Sequence, residues 1–269
     1  MRDAQAKTIY LKDYQIPAFL IDLTELKFDL GETETRVESR LHMRRNAELL
    51  GNQQTQLRLD GQDLQLVSVK LNGTLVPSTD YQVDDDSLTL LNLDKHLGAS
   101  LDSGFILECE TLIKPQENTS LEGLYKSSSM FCTQCEAEGF RKITYYLDRP
   151  DVMSKFVTTI EADRSRYPVL LSNGNNIASG EAEGNRHWAT WEDPFRKPCY
   201  LFALVAGDLK FIEDHFTTMS GRDITLRIFV EAKDLDKCDH AMLSLKNSMR
   251  WDEEVYGREY DLDIFMIVA

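Results

Sequence analysis

Through the first two hundred residues the apolar positions come in short alternating runs separated by polar turns, the pattern of strands rather than helices. Leu64, Leu66, Val69 and Leu71 lead into Asn72-Gly73, a dipeptide that tolerates positive φ at both positions and so predicts a tight hairpin returning through Thr74 to Val76. Asp84-Asp85-Asp86 predicts a second turn, between Tyr81–Val83 and Leu88–Leu91. Tyr167–Leu171 and Ile177–Ala182 flank the polar Ser172-Asn-Gly-Asn and read as a further pair of strands, followed after Gly184-Asn185 by Arg186–Trp191. The texture changes after Asp208. Thr225–Glu231 alternates as a strand, and from Asp234 the residues Cys238, Met242, Leu245, Met249 and Tyr256 recur at helical spacing on one face. Asp234 is the predicted N-cap of this helix and Gly257 its left-handed C-terminal residue. A further helix start is predicted around Asp148-Arg-Pro-Asp, because Pro150 has no amide hydrogen to leave unpaired in a first turn. Tyr260–Ala269 closes the chain as a buried-strand pattern. Folded chains seldom end on an uncapped core strand, so the sequence reads as truncated: one strand-rich domain and the opening of a second, mixed α/β domain. The alternative is that Ile264–Ala269 is the last strand of a complete sheet.

Composition narrows the function classes. The 269 residues carry 45 acidic against 30 basic side chains, a formal net charge of −15. That balance argues against nucleic acid and against an anionic membrane surface as partners. No apolar run approaches the roughly 20 residues of a membrane-spanning helix, and the N-terminal MRDAQAKTIYLKDY lacks the apolar stretch of a secretory signal. Five cysteines fit reduced thiols better than a disulfide framework, and the expected location is the cytoplasm. The sequons at Asn72 and Asn118 are then expected to be chance matches.

Most catalytic motifs are absent: no glycine-rich phosphate loop, no G-x-S-x-G, no H-E-x-x-H, and five scattered histidines. No metal ligand set is legible. Cys132-Thr-Gln-Cys135 has the spacing of half a zinc ribbon or a redox pair, but no second C-x-x-C exists, and Glu136 and Glu138 are expected to raise the thiol pKa values. Structural cysteines are the expectation. In the same stretch Gln134, Glu136 and Glu138 crowd acceptors into five residues; they are either solvated loop side chains or a group aimed into a cleft to hold a cation.

Leu121-Glu-Gly-Leu-Tyr, Cys132-Thr-Gln-Cys-Glu-Ala-Glu-Gly-Phe-Arg, Ile143-Thr-Tyr-Tyr-Leu-Asp-Arg-Pro-Asp, Pro198-Cys-Tyr-Leu-Phe-Ala-Leu-Val-Ala-Gly-Asp, Ser244-Leu-Lys-Asn-Ser-Met-Arg-Trp-Asp-Glu-Glu and Tyr260-Asp-Leu-Asp-Ile resemble the zinc-dependent bacterial alanyl aminopeptidases of the gluzincin superfamily. The resemblance spans nearly the whole chain and is densest from Asn118 onward. It implies a mainly β fold: a saddle-shaped, sandwich-like domain over residues 1–208, then the first strands and helix of a thermolysin-like α+β catalytic domain over 209–269, cut before the zinc site. It implies a metallo-exopeptidase acting on peptides with a free N-terminus, with the remaining domains of the same polypeptide as partners and zinc as cofactor of the full-length enzyme. The G-A-M-E-N and H-E-x-x-H motifs, the zinc ligands and the general base would lie beyond Ala269, so this chain alone is expected to hold no catalytic residue and no metal and to be inactive. The resemblance assigns two substrate-binding residues: Glu136 for the free α-ammonium, with Gln134 beside it lining the site, and Glu138 as the alternative carboxylate. A free-standing β-rich module that binds peptide or protein without catalysis, and a thiol protein using Cys132 and Cys135, are the competing readings.

Overall fold

The computed structural model describes residues 10–49, 51 and 54–269; residues 1–9, on which the reading of the N-terminal leader partly rests, lie outside the described residues. Alternation in the sequence becomes an eight-stranded sheet in the spatial order Asn175–Ala182, Arg186–Pro198, Met153–Asp163, Phe19–Leu30, Thr35–Arg45, Phe105–Ile113, Gln65–Leu71, Thr74–Leu75. Neighbours are antiparallel except Phe19–Leu30 and Met153–Asp163, which run parallel. Period-two burial explains the pairing: Val37, Leu41 and Met43 point into the core while Arg36, Glu38, Arg40 and His42 face outward. The inner face packs on a four-stranded sheet, ordered Val169–Ser172, Leu204–Gly207, Met130–Gln134, Gly123–Ser127, and on a three-stranded one, ordered Leu57–Asp60, Ser87–Leu90, Tyr81–Val83. Phe28, Phe131, Phe140, Phe156, Tyr146 and Phe202 fill the space between.

The two predicted hairpins form: Lys70 and Leu71 pair with Leu75 and Thr74 across Asn72 (φ 49°) and Gly73 (φ 78°), and Tyr81–Val83 pairs with Ser87–Leu90. The strands on either side of Ser172-Asn-Gly-Asn also form, but they do not pair with each other: Val169–Ser172 joins the four-stranded sheet and Asn175–Ala182 the eight-stranded one. At Gly174 (φ 92°) a Cβ would lie 2.0 Å from the Glu192 carbonyl, so the chain can change sheets there only through glycine. No helix begins at Asp148. Its carboxylate is taken by Arg141, and from Met153 the alternating Ser154, Phe156, Thr158 and Ile160 carry the chain into a strand.

From Lys210 a smaller sheet follows, Lys210–Thr217, Asp223–Val230 and Ile264–Val268, with the helix Asp239–Tyr256 between its second and third strands. Asp223–Val230 and Ile264–Val268 run parallel, so strand, helix and strand make one crossover unit. Met242, Leu245 and Met249 pack on Leu226 and Ile228 in a core of their own, while Ile264, Met266 and Val268 turn the other way onto the large core. The last strand is covered on both faces, which is why it reads as an unbroken apolar run. The helix starts later than Asp234 predicts. Ala232–Lys237 is a 3₁₀ turn, the Asp234 carboxylate is held by Lys237 Nζ, and Cys238 occupies the N-cap without a side-chain hydrogen bond. Gly257 ends it as expected, at φ 62°. Tyr256 is exposed rather than buried, because the helix outruns the sheet beneath it; its ring meets Trp251 edge-on instead. Asn175 ties this unit to the large sheet, its side-chain amide donating to Asp263 Oδ2 (2.9 Å) and its oxygen accepting from the Asp263 amide (3.0 Å).

Candidate functional site

Gln134 ends the strand Met130–Gln134, and the chain then turns through Cys135–Gly139 into the short 3₁₀ turn Phe140–Lys142. Backbone packing fixes the turn before any side chain acts. Gln134 pairs with Gly123 on the neighbouring strand, the Gly139 amide donates to the Cys135 carbonyl (2.8 Å), and a Cβ on Gly139 would lie 2.5 Å from the Gln134 oxygen and 2.9 Å from the Gly123 nitrogen. Two glycines are therefore required by the close approach of three backbone segments. The Glu136–Ala137 peptide bond within the turn is cis.

Below the turn the anchoring is ionic and aromatic. Phe140 is fully buried against Tyr146, Phe156 and Phe202. Asp148, almost completely buried, accepts from the Arg141 backbone amide (3.1 Å) and Nε (2.9 Å), and Arg141 Nη2 reaches the Asp148 carbonyl (3.2 Å). Burial works against the Arg141 charge, but the Asp148 carboxylate outweighs it and holds the guanidinium pKa above its ordinary value. The Cys199 thiol donates to the other Asp148 oxygen (3.0 Å), so both carboxylate oxygens have partners.

Gln134, Glu136 and Glu138 all stand exposed on the surface of this anchored turn. The structure brings the first two together and sets the third apart. Gln134 Nε2 donates to the Glu136 carbonyl (3.3 Å), and the Glu136 carboxylate makes no ion pair among the described residues. Glu138 leans back onto Arg141 Nη2 (3.3 Å). Of the two candidate carboxylates, Glu136 has the charge free to meet a ligand.

The two cysteines of the same stretch are free and point inward, Cys132 half-buried and Cys135 buried. Both thiol pKa values are raised, as expected, but by burial, with Asp148 adding to it at Cys135, rather than by Glu136 and Glu138. Among the described residues no three His, Cys, Asp or Glu side chains converge to hold a metal ion. The Asn118 amide nitrogen is already donating to the Glu122 (2.7 Å) and Leu124 (2.9 Å) carbonyls, which leaves the sequon there committed to holding its own loop. Asp148, Arg141 and the glycine pair went unassigned at the level of sequence. The only local signal was Gly139 followed at once by Phe140-Arg141, and nothing local couples it to Asp148.

Residues 18–201 match the Peptidase M1 N-terminal domain family, and the chain belongs to it. It is 51% identical over 264 residues to an aminopeptidase N of Haemophilus influenzae, covering 98% of this chain and 29% of that protein. The crystal structure of Legionella pneumophila aminopeptidase A in complex with aspartic acid superposes with a TM-score of 0.89 at 34% identity, over 96% of this chain and 29% of that one. A mutant M1 zinc metallopeptidase of Deinococcus radiodurans, bound to a Tyr-Ser-Ala substrate, shares the fold with a TM-score of 0.73 at 13% identity, over 93% of this chain and 56% of that one. The chain thus spans less than a third of the length of the aminopeptidase N it matches. No helix among the described residues is long and apolar enough to cross a membrane.

Proposed function

We propose that this chain serves as the N-terminal part of a zinc aminopeptidase, with residues 1–208 as the saddle domain, residues 209–269 as the start of the catalytic domain, and the Gln134–Glu136 turn as the part that meets the substrate. In this role Glu136 accepts hydrogen bonds from the free α-ammonium of a peptide and Gln134 lines the space for the first residue. The observation that carries it is the unpaired Glu136 carboxylate on a turn whose base is locked by Phe140, Arg141 and Asp148. An exopeptidase must distinguish a chain end from an internal amide, and a carboxylate held in a partly desolvated cleft does so by charge. Zinc and the group that activates water belong to parts of the enzyme outside the described residues; the metal's share is to polarise the scissile carbonyl. The chain by itself hydrolyses no peptide on this account. The cytoplasm suits it, since all five thiols are free.

The test is a chimera in which this chain replaces the matching N-terminal part of the Haemophilus influenzae aminopeptidase N. The chimera is expected to hydrolyse alanine amides. Glu136→Gln is expected to lower kcat/KM about ten- to a hundredfold, the worth of a charge-assisted hydrogen bond of about 1.5–3 kcal/mol, with zinc content unchanged. A folded, zinc-loaded chimera indifferent to Glu136→Gln refutes the assignment.

A further inference from the structure

Arg141 follows the exposed turn at short range, and both its backbone and its side chain are held. Its amide (3.1 Å) and Nε (2.9 Å) donate to one Asp148 oxygen, and its Nη2 donates to the Asp148 carbonyl (3.2 Å). Its own carbonyl accepts from the Gln62 amide (2.9 Å). The Arg141 side chain is 16% exposed. Asp148 is fixed in turn from two other segments. Its amide donates to Asp60 Oδ2 (3.3 Å), and its second carboxylate oxygen accepts from the Cys199 thiol (3.0 Å). Asp60 ends the strand Leu57–Asp60 and exchanges backbone hydrogen bonds with Tyr146 (2.7 and 3.0 Å). A connected set of contacts therefore runs from the inner three-stranded sheet, through Asp148 and Arg141, to the base of the turn that carries Glu136.

The other anchors do less to orient that turn. Packing of Phe140 on Tyr146, Phe156 and Phe202 sets its depth, but apolar contact has little directional preference. The backbone approach of Gly123 to Gly139 and the pairing of Gly123 with Gln134 fix the strand end ahead of Glu136. A planar guanidinium bound at Nε and Nη2 to two acceptors of one residue has a defined orientation, and its backbone is held with it. Glu136 thus lies between two fixed points, Gln134 and Arg141, in a span that the Gly139 amide closes onto the Cys135 carbonyl. The Arg141 contact with Glu138, whose side chain is 67% exposed, adds little to this hold.

We propose that Arg141 is a positioning residue for the aminopeptidase reaction: clamped by Asp148, it sets where the Glu136 carboxylate meets the substrate's α-ammonium, without touching the substrate itself. The inference rests on the assignment of Glu136 to that ammonium and adds a residue outside the Gln134–Glu136 turn.

A double-mutant cycle in the chimera tests it, with kcat and KM measured separately for an alanine amide. Arg141→Lys keeps a cation beside the buried Asp148 but loses the planar two-point hold. It is expected to lower kcat/KM about fivefold or more, mostly through KM, with zinc content unchanged. In the Glu136→Gln background the same change should matter by no more than about twofold, because the carboxylate that Arg141 positions is gone. Should Arg141→Lys fail to load zinc, the pair Arg141→Met/Asp148→Asn, which strands neither charge, is put through the same cycle with the same expectation. An equal fall in both backgrounds would make Arg141 a merely structural residue and overturn the proposal. So would a change within twofold when Glu136→Gln alone is damaging. If Glu136→Gln alone has no effect, the assignment of Glu136 fails first and takes this inference with it, an outcome that the single variant separates from the other two.

Discussion

Two regions of this molecule are built from the same charged residue types and use them differently. On the outer face of the eight-stranded sheet, Arg36 pairs with Glu110, Arg40 with Glu25 (3.2 Å), and Asp22 with both Arg44 (2.9 Å) and Arg196 (2.7 Å). These side chains are between about a quarter and a half exposed, so water can replace each partner. Beneath the Gln134–Glu136 turn, Arg141 and Asp148 are withdrawn from water, and the Asp148 side chain is only 1% exposed. Removing one partner there strands the other without solvent. The first arrangement covers the outer face of a sheet with solvated charge; the second fixes the shape of a turn. Only the second can influence where Glu136 stands.

The difference can be broken or sharpened by substitution. Asp148→Ala should have the largest effect, about 3–5 kcal/mol of lost stability, because it leaves the Arg141 guanidinium and the Cys199 thiol without their acceptor. Chemical denaturation measures it, and a loss below about 1 kcal/mol would mean that the pair is solvated after all. An intermediate case is Asp80, a buried carboxylate that accepts from Lys95 (2.9 Å) and His96 (2.8 Å) on a short helix. The Lys95 hydrogen bond outweighs burial and holds the Asp80 carboxyl below its ordinary value. A depressed folded pKa contributes stability that is complete above the unfolded value of about 4 and is lost as the pH falls through the folded one. The gap in melting temperature between the parent chain and Asp80→Asn should therefore be widest near neutrality and close as the pH falls below about 4; a gap independent of pH contradicts the pairing. Arg36→Ala, on the outer face, should cost about 0–1 kcal/mol and cost less still at high salt.

What was legible in the sequence was what short-range chemistry decides. Asn72-Gly73 and Gly257 each fix their own backbone, and the turn and the helix end fall where those residues stand. The face of the helix was legible from Met242, Leu245 and Met249, whereas Tyr256 was misplaced because periodicity gives a face but not the extent of the sheet beneath it. Asp234 and Pro150 carried sound local signals that other partners overrode: Lys237, three residues on, took the Asp234 carboxylate, and the strand Met153–Asp163 began where the helix from Pro150 was predicted. Val169–Ser172 and Asn175–Ala182 were recognisable as strands, but membership of different sheets depends on what packs across them. At the candidate site, Gln134 and Glu136 were singled out by their resemblance to a family motif, and their role there is the proposal above. Asp148 was not, because its partner Arg141 is selected by how the turn folds back rather than by sequence spacing.

The central claim is that Glu136, and not its neighbour two residues on, reads the substrate's free terminus. The most direct measurement is kcat/KM for an alanine amide in the chimera, with Glu136→Gln and Glu138→Gln compared side by side. The geometry predicts a fall of about ten- to a hundredfold for Glu136→Gln and a change within about twofold for Glu138→Gln, whose carboxylate rests on Arg141. An equal fall in both, or a fall confined to Glu138→Gln, would contradict it.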